Sequence, residues 1–336
     1  MDAAPAVFLI MPFLNEADHL PGVLASLAEQ QFPHERLHLV AVDNGSSDNG
    51  ADVVRAWIDA GDIRGAVHRE PARSIPRALN AAIARVPAEG YVVRIDAHTH
   101  YAPDYVATIV RAFEELGDDV WCVGGSPDVV APAGFGTALH ASLFNNPMGL
   151  GPAAYRSADR LGPVASVYLG AWRPGVLQRL GGYDERWRAN EDAELAQRII
   201  AAGGKVVRVH ARSRKILTRD ALAALRQWSR YGYWRSQTIV RHPGSVRWRH
   251  FAPPAIVLVG AALAATRQRR VLLLLYAVFA ALTLRLRPRG EAPAVTAASL
   301  VYFPLVHAGF GGGMLAGLAA AGWRAVVRAS GSRGAK

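Results

Sequence analysis

The stretch "VVRIDAHTHY" at residues 92–101 contains side chains that commonly bind metal ions. Asp96, His98 and His100 follow an apolar run at every second position. On a regular strand these residues would share one face, as a catalytic zinc site with three protein ligands requires. Ligands at that period stand about 6 to 7 Å apart, which suits bonds of ~2 Å poorly unless the strand breaks. We therefore disfavour zinc hydrolysis and interpret His100 as a polar residue at a strand end.

Two other polar clusters follow apolar runs in the first half of the chain. "PFLNE" contains Asn15 and Glu16, and "VDNGSSDNG" places Asp43 ahead of small turn residues. Backbone N–H groups in such a turn can face a ligand, so a nucleotide pocket is one interpretation of the pair. An ordinary Asx-rich turn that leads into the next helix explains the same residues. The residues alone leave both interpretations open.

A further acidic pair, Glu191 and Asp192, stands in "NEDAEL" after the loop "GGYDERWRAN". The segment "EDAELAQRIIAAGG" predicts a helix, so the pair would lie in its first turn. An N-terminal cap at Asn190 or Asp192, with acids that suit the helix dipole, is the common meaning of this pattern. A carboxylate at a helix N-terminus can also project into a cleft and act as a general base.

The elements that must position these clusters alternate between strand and helix over the first 220 residues. "AVFLIMPFLN" and "LHLVAVD" predict buried strands, and the leucine and valine spacing of "ADHLPGVLASLAEQQ" predicts a helix. This alternation favours right-handed βαβ units on a mostly parallel sheet. Ligands in such sheets bind at the carboxyl ends of the strands, which is where the polar clusters before residue 101 fall.

Charge is distributed unevenly along the 336 residues. The net charge is +11, but the first 220 residues carry −4 and the rest carry +15, because Glu291 is the one acid after Asp220. Only three of the 38 basic residues are lysines, so we give the arginine excess little weight as a sign of phosphate binding. The single Cys122 excludes an intramolecular disulfide and a Cys-rich zinc site. The N-terminus lacks the basic and apolar pattern of a signal peptide, so we expect the head in the cytosol.

The last third of the chain has the composition of a membrane-associated region. Residues 226–252 contain six arginines and no acid, with tryptophan and tyrosine interleaved, which suits the lipid headgroup layer. Of the apolar stretches that follow, only the last reaches the ~20 residues that span a bilayer, so the shorter two predict tilted spans, a re-entrant hairpin or packed helices. We favour an integral membrane protein over a soluble one with a basic tail. The expected regions are a globular domain at 1–225, an interfacial segment at 226–252, membrane-associated or transmembrane helices at 253–323 and a basic tail at 324–336.

Several motifs occur together in a fixed order, and their combination resembles the inverting family 2 glycosyltransferases over roughly residues 5–255. Within that family the likeness is greatest to the membrane-anchored, succinoglycan-synthesis glucosyltransferase-like group. "QWSRY" resembles the QxxRW element of the family, with Tyr231 in place of tryptophan. The resemblance implies an α/β GT-A fold, a Rossmann-like nucleotide-diphospho-sugar transferase domain, followed by C-terminal hydrophobic membrane helices. The motifs are "MPFLNEADHLPGVLASLAEQQFP", "VAVDNGSSDNGADVV", "ALNAAI", "RIDAHTHY", "GG" at 124–125, "LGAWR", "GGYDE", "NEDAEL" and "QWSRY".

The resemblance also implies roles for residues at the matching positions. Asp96 matches the first carboxylate of the DxD element and His98 stands where the last one usually lies, so this pair would hold Mn²⁺ or Mg²⁺. Asp192 would be the catalytic base, and Glu191 would position the base or the acceptor. Arg230 would reach the donor diphosphate, although contact with lipid phosphate explains it equally well. The full set for the nucleotide sugar would be Pro12, Asn15, Glu16, Asp43, Arg73, Asp96 and Arg230.

The motif "LGAWR" would supply the acceptor side of such a site. Gly170 and Ala171 are small enough for a sugar to approach the backbone, and Trp172 could stack on an apolar sugar face. A buried strand with a glycine bulge explains the same residues.

The chemistry of sugar transfer needs such a set of residues. A leaving nucleoside diphosphate develops negative charge, which a divalent ion and arginines stabilise, and inversion needs one base on the opposite side. We therefore expect a metal-dependent inverting hexosyltransferase that uses a nucleotide sugar, with UDP-sugar favoured. The acceptor would be a polyprenyl-linked saccharide in polysaccharide or glycolipid synthesis, at the cell membrane with the catalytic domain facing the cytoplasm.

Two other functions remain as alternatives. A non-catalytic basic membrane protein that binds anionic lipid would explain the tail but leave the acidic clusters without a role. A nucleotidyltransferase would be expected to show a Gly-rich phosphate loop with a lysine near the N-terminus, and "MPFLNEADH" has none. Nucleic acid is disfavoured as a partner, because the basic residues accompany apolar stretches and form no known reader motif.

Overall fold

The computed structural model describes residues 4–150, 161–266 and 268–331, and the chain separates into two compact units. The first unit comprises Met1–Val130 and Ala153–Ile216, and the second comprises Ala131–Pro152 and Leu217–Lys336. The end expected for the globular domain, at residue 225, therefore falls inside the second unit. The predicted basic tail at 324–336 lies partly outside the described residues.

The described strands form one mixed sheet in the first unit. They are β1 (Val7–Phe13), β2 (Leu37–Asp43), β3 (Arg64–Arg69), β4 (Tyr91–Arg94), β5 (Thr99–Tyr101), β6 (Val120–Val130), β7 (Gly162–Pro163), β8 (Tyr168–Trp172) and β9 (Lys205–Ile216). Their order is β3-β2-β1-β4-β8-β6-β9-β5, with β7 beside β9. The first four in this order run parallel, as expected, and β8 runs antiparallel to both of its neighbours. The βαβ prediction therefore holds for the first half of the sheet, and the second half is mixed.

In the first unit the helices are α1 (Leu20–Ala28), α2 (Gly50–Ala60), α3 (Ile75–Ile83), α4 (Tyr105–Glu115), α7 (Val176–Arg179) and α8 (Glu191–Ala201), and in the second unit α5 (Phe135–Asn145), α6 (Pro147–Leu150), α9 (Ala221–Arg241), α10 (Ala252–Ala265), α11 (Arg269–Arg285) and α12 (Pro293–Gly331). The helices predicted over "ADHLPGVLASLAEQQ" and "EDAELAQRIIAAGG" form as α1 and α8.

Two hydrophobic clusters cover the two faces of the sheet. Leu9 and Met11 of β1 pack with residues of α1, α2 and α4, whereas Ile10 between them packs with residues of α3 and α8. This division follows from the strand geometry, in which successive side chains point to opposite faces. Each fully buried leucine or isoleucine contributes roughly 1.5 to 3 kcal/mol, so the register of β1 is strongly fixed. The carboxyl ends of the central strands therefore have defined positions.

The strand predicted through residues 92–101 breaks in the middle. β4 ends at Arg94, residues 97 and 98 form a turn, and β5 pairs with β9 instead of continuing β4. Asp96, His98 and His100 consequently do not share the face of one regular strand, and that prediction was wrong. His100 packs against α1, since a Cβ at Gly22 would overlap its ring.

In the second unit, α9 and α12 pack with their backbones unusually close. A Cβ at Gly313 of α12 would overlap the carbonyl of Ser229, and one at Gly232 of α9 would overlap the carbonyl of Phe310. Small residues permit such close approach between helices. Beyond this contact, Gln237 donates to the carbonyl of Gly317 at 2.7 Å.

Among the described residues, the segment Pro293–Arg324 of α12 is long and apolar enough to cross a membrane, with 32 residues that include an 18-residue stretch of mean hydropathy 1.4. The helices α10 and α11 have 14 and 17 residues, which is shorter than a normal span of about 20. Both expose large apolar side chains, including Ile256, Leu258, Val259, Leu273 and Leu274.

Candidate active site

The polar ends of β1 and β2 are joined by hydrogen bonds. Asn15 donates its backbone N–H to Ser46 Oγ at 3.0 Å, and its Oδ1 accepts the N–H of Ser47 at 2.8 Å. The Asp43 carboxylate accepts the N–H of Ser46 at 2.7 Å. The loops after the two strands therefore form one rim, and the Asx-type turn at Asp43 is part of it. Sequence-predicted Asn15 and Asp43 come together here.

Arg73 joins the same rim from the loop before α3. Its guanidinium donates to the carbonyl of Gly45 at 3.4 Å and is exposed, so most of its donors remain directed to the outside. Pro12 is buried in β1, opposite Val42 of β2, and lies just below the rim. The structure thus places Arg73 beside the Asp43 turn and Pro12 beneath it.

Strained backbone in the described part of the chain is concentrated around the predicted site. The non-glycine residues with positive φ are Asn15 at 54°, Arg73 at 49°, Leu169 at 47° and Asn190 at 58°. This region suits asparagine but costs free energy for a leucine. Each of the four is a predicted site residue or directly precedes one. Such strain, of order 1 to 3 kcal/mol per residue, tends to persist where function requires the geometry.

His98 pairs with Glu16 in this structure. The distance from its Nδ1 to Glu16 Oε1 is 3.1 Å, which ties the end of β1 to the turn after β4. The other oxygen, Glu16 Oε2, is buried and has no hydrogen-bond partner among the described residues. His98, which stands where the last carboxylate of the DxD element usually lies, therefore positions the Glu16 carboxylate.

Asp96 is surrounded by tyrosines and cations. Its Oδ2 accepts the hydroxyl of Tyr168 at 3.4 Å, and its backbone N–H donates to the hydroxyl of Tyr101 at 2.8 Å. Burial alone would raise the pKa of Asp96, but the charges of Arg94, His98 and Lys215 outweigh it and hold that pKa below its usual value. Asp96 is therefore ionised at neutral pH.

A buried guanidinium connects Asp96 with the acidic pair at the start of α8. Arg94 donates from Nη1 to Asp192 Oδ1 at 2.7 Å and to Glu191 Oε1 at 3.3 Å, and from Nη2 to Asp96 Oδ1 at 3.3 Å. The Tyr183 hydroxyl also donates to Asp192 Oδ1, at 2.9 Å. The Asp192 side chain is 31% exposed, so its carboxylate can be reached from outside. The N-cap of α8 is Asn190, and Asp192 lies in the first turn of the helix.

Burial and negative charge shift the pKa values of two neighbours of Asp192. Burial and then the charge of Asp192 raise the pKa of Glu191, in spite of its contact with Arg94. The same two causes raise the pKa of Tyr183 well above its usual value. Tyr183 is consequently a phenol that donates to Asp192 throughout the physiological range.

Glu191→Gln is expected to stabilise the chain at alkaline pH. Because the folded-state pKa of Glu191 is raised, its ionised form costs stability above that pKa, and the cost disappears as pH falls towards the unfolded value of about 4.3. Thermal unfolding of the full chain in detergent should give a higher Tm for the variant at pH 8, with the difference shrinking towards pH 5. The matched change at exposed Glu35, Glu35→Gln, is the control. A variant that is less stable than wild type at pH 8 would contradict the assignment.

The predicted acceptor motif lies in the core. Ala171 is fully buried and Trp172 is 2% exposed, packed edge-on against Tyr183 with ring centroids 6.2 Å apart. A Cβ at Gly170 would overlap the ring of Trp172, so the glycine makes room for that indole. Stacking on a sugar requires an exposed ring face, and Trp172 presents none here. Gly170 therefore serves this packing.

Arg230 belongs to α9 of the second unit, where its side chain is exposed. In the same "QWSRY" element, Gln227 donates to the Tyr231 hydroxyl at 2.7 Å and Trp228 packs edge-on against Tyr231. The element is thus ordered within its helix. A contact between Arg230 and the donor diphosphate stays a prediction.

The residues present suit a metal ion that is bound jointly by the protein and by substrate phosphates, and they do not form a metal site made of protein ligands alone. Among the described residues, no group of three His, Cys, Asp or Glu side chains lies close enough to hold a metal ion. Mg²⁺ and similar ions are commonly held by one or two carboxylates together with substrate phosphates. Ionised Asp96 provides one carboxylate, and the unpartnered Glu16 Oε2 is a second oxygen beside His98. A zinc site on Asp96, His98 and His100 does not form.

The structure adds residues to the site that the motifs did not single out. They are Arg94, Tyr168 and Tyr183, which all contact Asp96 or Asp192. Arg94 had a sequence signal, because it is a charged residue in the otherwise apolar run "YVVRI". Tyr183 lies in the motif "GGYDE", whereas Tyr168 had no such signal, since tyrosine is common in strands.

Comparisons with known proteins identify the family of this chain. The family model described as "Glycosyl transferase family 2" matches residues 8–157, and that described as "Glycosyl transferase family group 2" matches residues 91–309. The chain is similar to the succinoglycan biosynthesis protein ExoA of Rhizobium meliloti (strain 1021), with 30% identity over 264 residues that cover 76% of this chain and 77% of that protein.

Solved structures share the fold. The mannosyltransferase PcManGT from Pyrobaculum calidifontis, in complex with GDP-Man and Mn²⁺, has a TM-score of 0.62 and 22% identity, and the match covers 93% of this chain and 89% of that one. TarS 1-349 of S. aureus in complex with UDP-GlcNAc has a TM-score of 0.54 and 12% identity, with 90% of each chain covered. These likenesses support the predicted GT-A fold.

Proposed function

Because this chain belongs to glycosyltransferase family 2, we propose that it transfers a sugar, with inversion, from a nucleotide diphosphate sugar to a membrane-held acceptor. The donor is a UDP-sugar, and the acceptor is a polyprenyl-linked saccharide in the synthesis of a polysaccharide or glycolipid. The relative named for succinoglycan biosynthesis supports the polysaccharide role.

The observation that carries the proposal is the pairing of Asp192 and Asp96 through one buried arginine. Direct displacement at an anomeric carbon needs a base on one side and charge stabilisation on the other. Asp192, partly exposed at the start of α8, takes the proton of the acceptor hydroxyl. Asp96, at the carboxyl end of β4, faces the leaving diphosphate. Both carboxylates belong to the first unit.

The diphosphate side needs a cation. Asp96 and His98 are the residues that would hold Mn²⁺ or Mg²⁺, and Glu16 contacts His98. When bound, such an ion supplies positive charge to the leaving phosphate oxygens. The neighbour solved with GDP-Man and Mn²⁺ supports a divalent ion. The rim of Asn15, Asp43 and Arg73 binds the nucleoside part of the donor.

The second unit holds the enzyme at the membrane. Its apolar α12 segment, the exposed apolar side chains of α10 and α11, and the arginine excess after Asp220 suit a bilayer surface with anionic lipid. We propose the cell membrane as its location, with the first unit facing the cytoplasm. The polyprenyl chain of a lipid-linked acceptor can then stay in the bilayer while its saccharide reaches the enzyme.

Nucleotide binding tests the proposal most directly. UDP with Mn²⁺ or Mg²⁺ is expected to raise the Tm of the purified full chain, with GDP and dTDP giving smaller shifts. Saturating ligand at about 100 times its Kd should stabilise the folded state by ~2.7 kcal/mol. Thermal shift and calorimetry in detergent, with and without EDTA, provide the measurement. A chain that responds to none of the nucleotides would instead favour the non-catalytic lipid-binding alternative.

A further inference from the structure

Arg94 is a buried charge at the end of a central strand. It is the last residue of β4 and only 7% exposed, in a run whose other members are apolar or aromatic. A buried guanidinium is costly unless it is paired and hydrogen-bonded. Burial alone would lower the pKa of Arg94, but Asp192, Asp96 and their neighbours raise it well above its usual value. The cation is therefore retained by its partners.

Arg94 joins carboxylates that are far apart in the sequence, since Asp96 lies 2 residues and Asp192 98 residues after it. Its Nη1 serves Asp192 and Glu191 on α8, and its Nε and Nη2 lie 3.4 Å and 3.3 Å from Asp96 Oδ1. The guanidinium is planar and its donors are fixed relative to one another. The guanidinium therefore holds the carboxylates of Asp96 and Asp192 at a set distance from each other. It does so although Asp192 lies 98 residues after Arg94 in the sequence.

The two carboxylates have opposite tasks in the proposed reaction. Asp96 faces the leaving diphosphate, and Asp192 receives the proton of the acceptor hydroxyl. The anomeric carbon must therefore fit between the diphosphate and the acceptor hydroxyl. A misplacement of about 1 Å in such a geometry can cost 10²-fold in rate. Without a cation, the carboxylates of Asp96, Glu191 and Asp192 would also repel one another.

We infer that Arg94 is a positioning residue that sets the separation between the diphosphate-side carboxylate Asp96 and the base Asp192. This inference rests on the function proposed above. Four of the five N–H donors of Arg94 are directed to these carboxylates, so Arg94 acts through them and is not itself a catalytic residue. It acts on the rate of the chemical step and not on donor affinity.

Arg94→Lys and Arg94→Ala in the full chain test the inference. Lysine keeps the positive charge but lacks the planar fork, so the folded variant cannot bridge both carboxylates. For Arg94→Lys, which keeps a positive charge beside Asp96, kcat is expected to fall about 10²-fold while KM for the donor and the Kd of UDP stay near wild type. Arg94→Ala also removes the charge that keeps Asp96 ionised, so it is expected to lose kcat and to bind UDP with Mn²⁺ more weakly. Guanidinium ion at millimolar concentration should restore part of the kcat of Arg94→Ala.

Arg173 provides a matched control, because it is another largely buried arginine and directly follows β8. Its guanidinium donates to the carbonyls of Val120, Phe113 and Leu116 and to no carboxylate of the site. Arg173→Lys should change Tm but not kcat of the folded protein, and guanidinium should not alter its rate.

The outcomes separate this inference from the proposed function. Full kcat in Arg94→Lys, or a loss explained entirely by weaker UDP binding, would overturn the positioning role while the wild type still transfers sugar. A wild-type chain that binds no nucleotide and transfers no sugar would overturn the proposed function, and the inference with it. If Arg94→Ala does not fold, Arg94→Lys decides alone, since it retains the buried charge.

Discussion

Asp192→Asn is expected to abolish sugar transfer while leaving nucleotide binding intact. The amide cannot accept the proton of the acceptor hydroxyl, and loss of a general base typically costs about 10² to 10⁴-fold in rate. The amide oxygen can still accept from Arg94 and from Tyr183, which donate to Asp192 Oδ1 at 2.7 and 2.9 Å. The local structure should therefore persist.

The measurement for Asp192→Asn combines a transfer assay with calorimetry. Product formation should fall to background, whereas the Kd of UDP with Mn²⁺ should match wild type. Asp52→Asn, the same chemical change at an exposed carboxylate that pairs with Arg55, is the control and should retain activity. Full activity of Asp192→Asn would refute its role as the base, and lost UDP binding would move Asp192 to the donor site.

Asp96→Asn is expected to remove the metal dependence of the reaction together with most of its rate. Asp96 is kept ionised by Arg94, His98 and Lys215 against the effect of burial, so the variant loses a full negative charge at the diphosphate side. Removal of one group that stabilises transition-state charge commonly costs about 10² to 10³-fold in kcat. The Tm shift caused by Mn²⁺ in the presence of UDP should also disappear.

His100→Asn gives a control from the same segment for the Asp96 experiment. His100 lies against Gly22 of α1, away from Asp96, so its replacement should leave the Mn²⁺ response unchanged. Titration of Mn²⁺ into each variant with UDP present distinguishes the two. An Asp96→Asn chain that keeps the wild-type response to Mn²⁺ would show that the ion, if bound, is held elsewhere.

Much of the fold follows from local sequence patterns. The apolar runs of β1 and β2 and the spacing in α1 specify the parallel half of the sheet, because buried strands and amphipathic helices have distinct periods. The start of α8 at Glu191 was likewise predicted from the "NEDAEL" segment. Alternation alone does not determine the mixed half, in which β8 enters antiparallel between β4 and β6.

For the candidate site, the sequence named residues but could not predict the contacts between them. The motifs contain Asp96 and Asp192, but the contact between them runs through Arg94. Arg94 and Asp192 are 98 residues apart, and no rule of sequence spacing predicts a contact at that separation. The expectation of a regular strand through His100 failed because the chain turns at residues 97 and 98. For Trp172 the sequence left both an exposed stacking role and a buried strand open, and the side chain is 2% exposed in this structure.

The close packing of α9 on α12 limits how this protein can be shortened for study. The helix with "QWSRY" lies against glycines of α12, so a version that stops before Pro293 would uncover backbone carbonyls of Ser229 and Tyr233 that α12 now covers. Those carbonyls belong to a helix interior, and the bared face would favour aggregation in water. Biochemical work therefore requires the whole chain, extracted with detergent or held in a lipid disc, because the long apolar helix α12 also packs against the helix that carries "QWSRY".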